Sequence, residues 1–260
     1  MLHHEISGNG KKPLVLLHGF MENTTIWDEM EAHLSKDFTL IKIDLPGHGK
    51  SKVYQEIHTV ELMAEKVKEV IDALKLEKIN LLGHSLGGYV SLAFAEKFPE
   101  ILESMTLFFS TTLADDDEKK QIRRRSIAVI DENFETFVKT SIPNLFSNNE
   151  KDILEGKIEL AKNIAKSTNK EGVKAAQLGM AERPDRTEIL ENLDAKILII
   201  AGKYDNAVKT ENLLKIIPEK TNIKTYVLDC GHNGHWEKPT ICAEIINTEL
   251  FHNLPKHFLL

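Results

Sequence analysis

Short runs rich in Val, Ile and Leu alternate with segments of helical period, and this rhythm restricts the fold more than any single motif. The runs are PLVLLH at 13–18, FTLIKID at 38–44, INLLG at 79–83 and MTLFFS at 105–110, followed by KILIIAG at 196–202 and IKTYVLD at 223–229. Uninterrupted apolar runs suit strands buried on both faces, and helices between them suit the crossovers that parallel strands require. The reading is an α/β fold with a mostly parallel central sheet flanked by helices. Residues 59–75 place Val60, Met63, Ala64, Val67, Val70, Ile71 and Leu74 on one stripe with charges opposite, which predicts a surface helix packed on that sheet. Residues 239–250 open with Pro239, suited to a first helical turn, and are expected to close the fold as a final helix.

From 113 to 190 the rhythm stops: no strand-like run occurs and the sequence becomes charged and helical. The strands then resume, so this stretch reads as a helical cap or lid inserted into a core formed by 1–112 and 191–260. A chain of 260 residues with 42% hydrophobic content can bury a core of that size. Its net charge of −7 opposes attraction to nucleic acid and to anionic membranes, so neither is expected as a partner. The N-terminus lacks the pattern of a secretory signal, and no apolar run approaches the ~20 residues of a membrane span. With Cys230 and Cys242 forming no disulfide framework, a cytoplasmic protein with reduced thiols is expected.

In NLLGHSLGGYV, residues 80–90, Ser85 sits between an apolar run and a helical segment, with Gly83, Gly87 and Gly88 around it. A nucleophile elbow needs this context, because a sharp strand-to-helix turn strains the serine backbone and neighbouring side chains would clash. A serine hydroxyl is a weak nucleophile, so it needs a base, and the base needs an orienting group. Asp205 follows the strand at 197–201 and His232 follows the strand at 224–228. The order Ser85, Asp205, His232 is that of a triad built on an open α/β sheet, whose strand ends share one edge.

With LVLLHGF, DLPGHGKS, GHSLGGYVSLAFAEKFPE, LIIAGKYD and CGHNGHWEKP in this order, the chain resembles the α/β-hydrolase superfamily over nearly its whole length, in its serine esterase-like branch. The resemblance implies that the HGF segment lies in the oxyanion loop, where the backbone N–H of Phe20 would join that of Leu86. It also favours His232 over His235 as the base, since the family's base follows a glycine, and the stretch 113–190 stands where the family keeps its cap. Met21, Trp27, His84 and His235 are candidate pocket residues, with Trp27 also a candidate core residue.

Cys230, His232 and His235 make a poor zinc site, for no further ligand pair is suitably spaced. The lysine of GHGKS lacks the upstream glycine of a phosphate loop. No metal or cofactor is expected. Asp44 and His48 read as parts of a turn, and His18 and His84 as residues that shape the site without transferring protons. Of Arg123, Arg124 and Arg125, successive positions on a helix, at most two could face a substrate.

A serine at position 85 disfavours the alkyl-enzyme chemistry of relatives that use aspartate there. The expected activity is hydrolysis of a small-molecule acyl substrate, a carboxylic ester, thioester or lactone, through an acyl-serine intermediate. Two alternatives stay open. GHNGHWEKP resembles the corresponding segment of the menaquinone-pathway synthase that eliminates pyruvate, although Tyr89 stands where that relative has an arginine. A non-catalytic receptor on the same fold is the other. Oligomeric state is not legible.

Overall fold

The computed structural model describes residues 1–34 and 36–251; Ser35 and the last nine residues of the expected 191–260 core range lie outside the described residues. Among the described residues seven strands form one sheet: β1 (His4–Ser7), β2 (Lys12–Leu17), β3 (Phe38–Ile43), β4 (Ile79–His84), β5 (Leu102–Phe108), β6 (Lys196–Gly202) and β7 (Ile223–Leu228), in the order β1-β3-β2-β4-β5-β6-β7. All pairings are parallel except β1 with β3, which is antiparallel. Six strands coincide with the apolar runs. β1 was not expected, because HEIS is short and largely polar; it completes the edge by pairing with a strand that the core already orders.

Helices α1 (Asp28–Leu34), α2 (Val60–Ala73) and α3 (Leu86–Lys97) follow β2, β3 and β4. In α2 the predicted stripe from Val60 to Ile71 is buried, and Thr59 caps its first turn by accepting the Leu62 N–H at 3.1 Å. Each sheet face carries its own apolar cluster. One gathers Val15, Leu81, Met105 and Ile199 with the stripes of α2 and α3, and the other gathers Leu14, Leu82, Phe108 and Leu198 with Trp27 and Met30. The side chains alternate between faces along each strand, as strand geometry requires.

Between β5 and β6 the chain forms α4 (Asp117–Ser141), α5 (Glu155–Ser167), α6 (Lys170–Glu182) and the short α7 (Glu188–Asn192). α4 bends at Asn133, whose φ of −155° and ψ of 84° leave the helical region; its side chain restarts the helix by accepting the Thr136 N–H at 2.9 Å. α6 meets the loop after β3 backbone to backbone. A Cβ on Gly172 would stand 2.1 Å from the Gly47 carbonyl oxygen, and one on Gly179 would stand 1.7 Å from that of His58. Between these contacts the His58 N–H donates to the Ala175 carbonyl at 3.0 Å. Ala176 and Met180 of α6 then join the α2 and α3 cluster. Arg186 secures the return toward β6, bonding Glu61 of α2 at 2.5 Å and Glu96 of α3 at 2.9 Å.

After β6 and β7 come α8 (Thr210–Lys215), α9 (Gly234–Glu237) and α10 (Pro239–Ile246). The expected closing helix is thus present, shorter than 239–250, and continues as a π-helical turn over Asn247–Phe251. Among the described residues no helix is long and apolar enough to cross a membrane.

Candidate active site

Ser85 ends β4 and opens α3 with φ 51° and ψ −111°, in a region that non-glycine residues rarely adopt. Its N–H donates to the Phe108 carbonyl at 3.0 Å, and its own carbonyl accepts the Ser110 hydroxyl at 2.8 Å, so both neighbouring segments fix the turn. The strain rests on the serine alone: none of Gly83, Gly87 and Gly88 has a positive φ. These glycines serve close approach instead. A Cβ on Gly83 would stand 2.2 Å from the Gly87 carbonyl oxygen, and one on Gly88 would stand 2.3 Å from Ser110 Oγ.

The loops after β4, β6 and β7 bring three distant residues into one hydrogen-bonded chain. Ser85 Oγ lies 2.8 Å from His232 Nε2, and His232 Nδ1 lies 2.7 Å from Asp205 Oδ2. Asp205 Oδ1 accepts the N–H groups of Ala207 and Val208, each at 2.8 Å, leaving Oδ2 for the imidazole. Because a carboxylate oxygen accepts, Nδ1 carries the ring proton and Nε2 is free to accept the serine proton. The His232 N–H donates to the Leu145 carbonyl at 2.8 Å.

The two backbone N–H groups expected to serve an oxyanion are those of Phe20 and Leu86. Leu86 is the first residue of α3, so its N–H has no intrahelical acceptor. The Phe20 N–H has no acceptor among the described residues. Phe20 and Ser85 both line a cavity of ≈ 850 Å³. Its walls are largely apolar, with Met21, Leu113, Ile122, Phe137, Leu145 and Val208 facing inward.

Of the candidate pocket residues, Met21 and His84 line this cavity, whereas Trp27 and His235 do not. Both are fully buried and belong behind it: Trp27 packs with Phe108 at 6.0 Å between ring centroids, and His235 with His84 at 4.7 Å. Asp44 and His48 are likewise away from the cavity; Asp44 accepts the N–H groups of Thr24 and Lys50, each at 2.9 Å. The three arginines diverge around α4. Arg123 lines the cavity, bonded to Asp115 and to Gln177, while Arg124 pairs with Glu182 at the surface and Arg125 bonds Gln121. Arg183, stacked 3.9 Å above the Tyr89 ring, reaches the other Asp115 oxygen at 2.8 Å. Burial opposes charge on Asp115, and the two guanidiniums overcome it, holding its carboxyl down at about 2.

The sequence did not point to two buried carboxylates beside the site. Glu237 accepts the N–H groups of Gly231, Ser147 and Asn233, which pins the His232 loop to the chain leaving α4; burial nonetheless pushes its carboxyl up. Glu22 accepts the Gly19 N–H at 2.5 Å and the His84 ring at 2.8 Å. Bonds to backbone N–H groups leave no sequence pattern, and His84 is 62 positions from Glu22. The thiols are not candidates: burial pushes Cys242 up to about 12 and Cys230 higher still.

The family model described as alpha/beta hydrolase fold matches residues 12–239. The chain belongs to this family. Among solved hydrolases of similar structure, an esterase from Thermogutta terrifontis, with malate bound, is 32% identical; the match covers 96% of this chain and 92% of that one with a TM-score of 0.91. An enol-lactonase from Burkholderia xenovorans shares the fold at a TM-score of 0.89 and 20% identity, covering 96% of each chain. In sequence, a putative 2-succinyl-6-hydroxy-2,4-cyclohexadiene-1-carboxylate synthase of Bacillus subtilis is 29% identical over 92% of this chain and 90% of its own length. An uncharacterised Mycobacterium tuberculosis protein is 35% identical over 102 residues, and that match covers 39% of this hydrolase-family chain but only 30% of the relative.

Proposed function

We propose that this chain is a serine hydrolase that cleaves a small carboxylic ester, thioester or lactone. The observation that carries this reading is the Ser85–His232–Asp205 chain of hydrogen bonds, at 2.8 and 2.7 Å, opening on an apolar cavity. His232 Nε2 takes the Ser85 proton as Oγ attacks the substrate carbonyl carbon, and Asp205 holds the resulting imidazolium. The carbonyl oxygen, now negative, takes hydrogen bonds from Phe20 and Leu86 N–H; losing one such donor typically raises the barrier by about 2.7 to 4 kcal/mol. His232 returns the proton to the departing alkoxide or thiolate, leaving acyl-Ser85. Water then gives a proton to His232, attacks the acyl carbon and releases the acid, and the proton returns to Ser85 Oγ. No cofactor enters this scheme.

In this reading the 113–190 segment is a cap over the cavity, and the cytoplasm, where two free thiols stay reduced, is the proposed location. A panel of p-nitrophenyl esters, thioesters and lactones tests the activity, with fluorophosphonate labelling and Ser85→Ala as control. Turnover and labelling that both vanish in Ser85→Ala support it; tight ligand binding with neither would establish a receptor instead.

A second reading is elimination of pyruvate from a bulky dicarboxylate. Arg123 and Arg183 on the cavity wall, guanidiniums suited to a carboxylate, favour it, as does the Bacillus subtilis relative. Release of pyruvate from that substrate without net hydrolysis, measured with lactate dehydrogenase, would decide for it.

A further inference from the structure

Behind Ser85, the nucleophile's neighbour His84 is fully buried and held from both sides. Its Nε2 lies 3.0 Å from the His232 carbonyl oxygen and its Nδ1 lies 2.8 Å from Glu22 Oε2. A carbonyl oxygen can only accept, so Nε2 carries a proton. Glu22 is held at about 2 and is a carboxylate, so its Oε2, which accepts the Gly19 N–H at 2.5 Å, accepts from His84 as well and Nδ1 also carries a proton. Both ring nitrogens donate, and the ring is an imidazolium paired with a carboxylate.

We propose that Glu22 is a positioning residue that keeps His84 doubly protonated, and that this buried ion pair clamps the oxyanion loop, the Ser85 turn and the His232 loop into one rigid unit. The inference rests on the reading of Ser85 as the acyl acceptor. Each arm of the clamp has a separate partner. Gly19 immediately precedes Phe20, so anchoring its N–H orients the peptide that presents the Phe20 N–H. His84 immediately precedes Ser85. The His232 carbonyl belongs to the residue whose ring faces the serine hydroxyl.

The surrounding groups leave the pair isolated. Burial pushes His235 well below its ordinary range and lowers His18 and His48, the last to about 3, so these three rings are neutral. The His18 geometry agrees, for its Nε2 accepts the Leu45 N–H at 2.9 Å while Nδ1 donates to the Gly19 carbonyl at 2.7 Å. The charged or titrating groups that face the pair are therefore Asp205 and His232, with Asp44 farther off beyond His18. Burial opposes charge on both members; attraction to His84 nevertheless holds Glu22 at about 2, and attraction to Glu22 raises His84.

Glu22, His84 and His235 also bring possible metal-ligand atoms within 4.8 Å of one another. Glu22 Oε2 is already occupied by the Gly19 N–H and the His84 ring, and its Oε1 stands 3.8 Å from His235 Nε2, so the close bond within the cluster is the one between Glu22 and His84.

The His84 ring also packs against the base itself, 5.0 Å from the His232 ring between centroids, so the clamp touches His232 through its ring as well as through its carbonyl.

The test is nitrogen-15 NMR of the histidine-labelled full chain, joined to steady-state kinetics. In the wild type, both ring nitrogens of His84 are expected to be protonated at neutral pH; in Glu22→Gln one of them is free. The same variant is expected to lose about 10- to 100-fold in kcat with little change in KM, as for a misplaced catalytic group. A singly protonated His84 in the wild type overturns the proposal, and needs no variant to fold. So does a folded Glu22→Gln protein with unchanged kcat. Failure of the hydrolase reading looks different: the wild type then neither turns over esters nor labels, while the His84 resonances still report the ion pair.

Discussion

Ser85 occupies a backbone conformation that costs about 1–3 kcal/mol, and it persists because Phe108 and Ser110 hold its two peptide groups. Ser110→Ala removes one of these supports and is expected to cost about 1 kcal/mol in urea unfolding. Asp205→Asn is expected to lower turnover about 10⁴-fold, since an amide no longer secures the Nδ1 proton, while its thermal midpoint moves little by comparison. The raised, buried thiols of Cys230 and Cys242 predict no reaction with a disulfide reagent at neutral pH until denaturant is added; two rapid equivalents in the native state would contradict this. Ser85, Asp205 and His232 were legible because each sits just past an apolar run, where a strand must end. Glu22 and Glu237 were not, because a carboxylate buried against backbone N–H groups looks in sequence like any surface acid. Trp27 is buried, as its core reading had it, and neither it nor His235 lines the cavity, since proximity in sequence to HGF and to His232 says nothing about which side of the site a ring takes.

At the level of elements, six strands and the stripe of α2 could be read directly because burial dictates their side chains. β1 escaped, as an edge strand needs few apolar residues when its partner is already ordered. The stretch between β5 and β6 could be read as helical but not divided, for the break in α4 is made by one residue. Asn133 both leaves the helix and caps its second half through the Thr136 N–H. Asn133→Ala is expected to cost about 1 kcal/mol of stability, measured by denaturant unfolding, with the ester kcat unaffected.

For the whole molecule, the buried charges set a pH window. Glu22 and Asp115 have depressed values near 2 against 4.5 and 3.8 when unfolded, so their contribution is full above those unfolded values and disappears as pH falls toward about 2. His84 is raised above 6.5, so its contribution is full below 6.5 and falls away as pH rises through its folded value. Glu237, raised from 4.5, runs against the acid loss. The buried neutral rings of His18, His48 and His235, lowered from 6.5, withdraw stability as pH falls below 6.5, so the acid flank begins there and steepens below about 4.5; Glu22→Gln should flatten the part of each flank that the ion pair supplies in a plot of urea midpoint against pH, and parallel curves for variant and wild type would refute this assignment. The seam of α6 against Gly47 and His58 has a practical meaning for recombination. A cassette exchanged at the sequence boundaries 113 and 190 carries away Ala176 and Met180, which belong to the main apolar cluster, and asks a foreign helix to fit a groove that admits only hydrogen at Gly172 and Gly179. The natural grafting points lie inside those boundaries, before α4 and before α6, so the portable part of this molecule is shorter than its insertion.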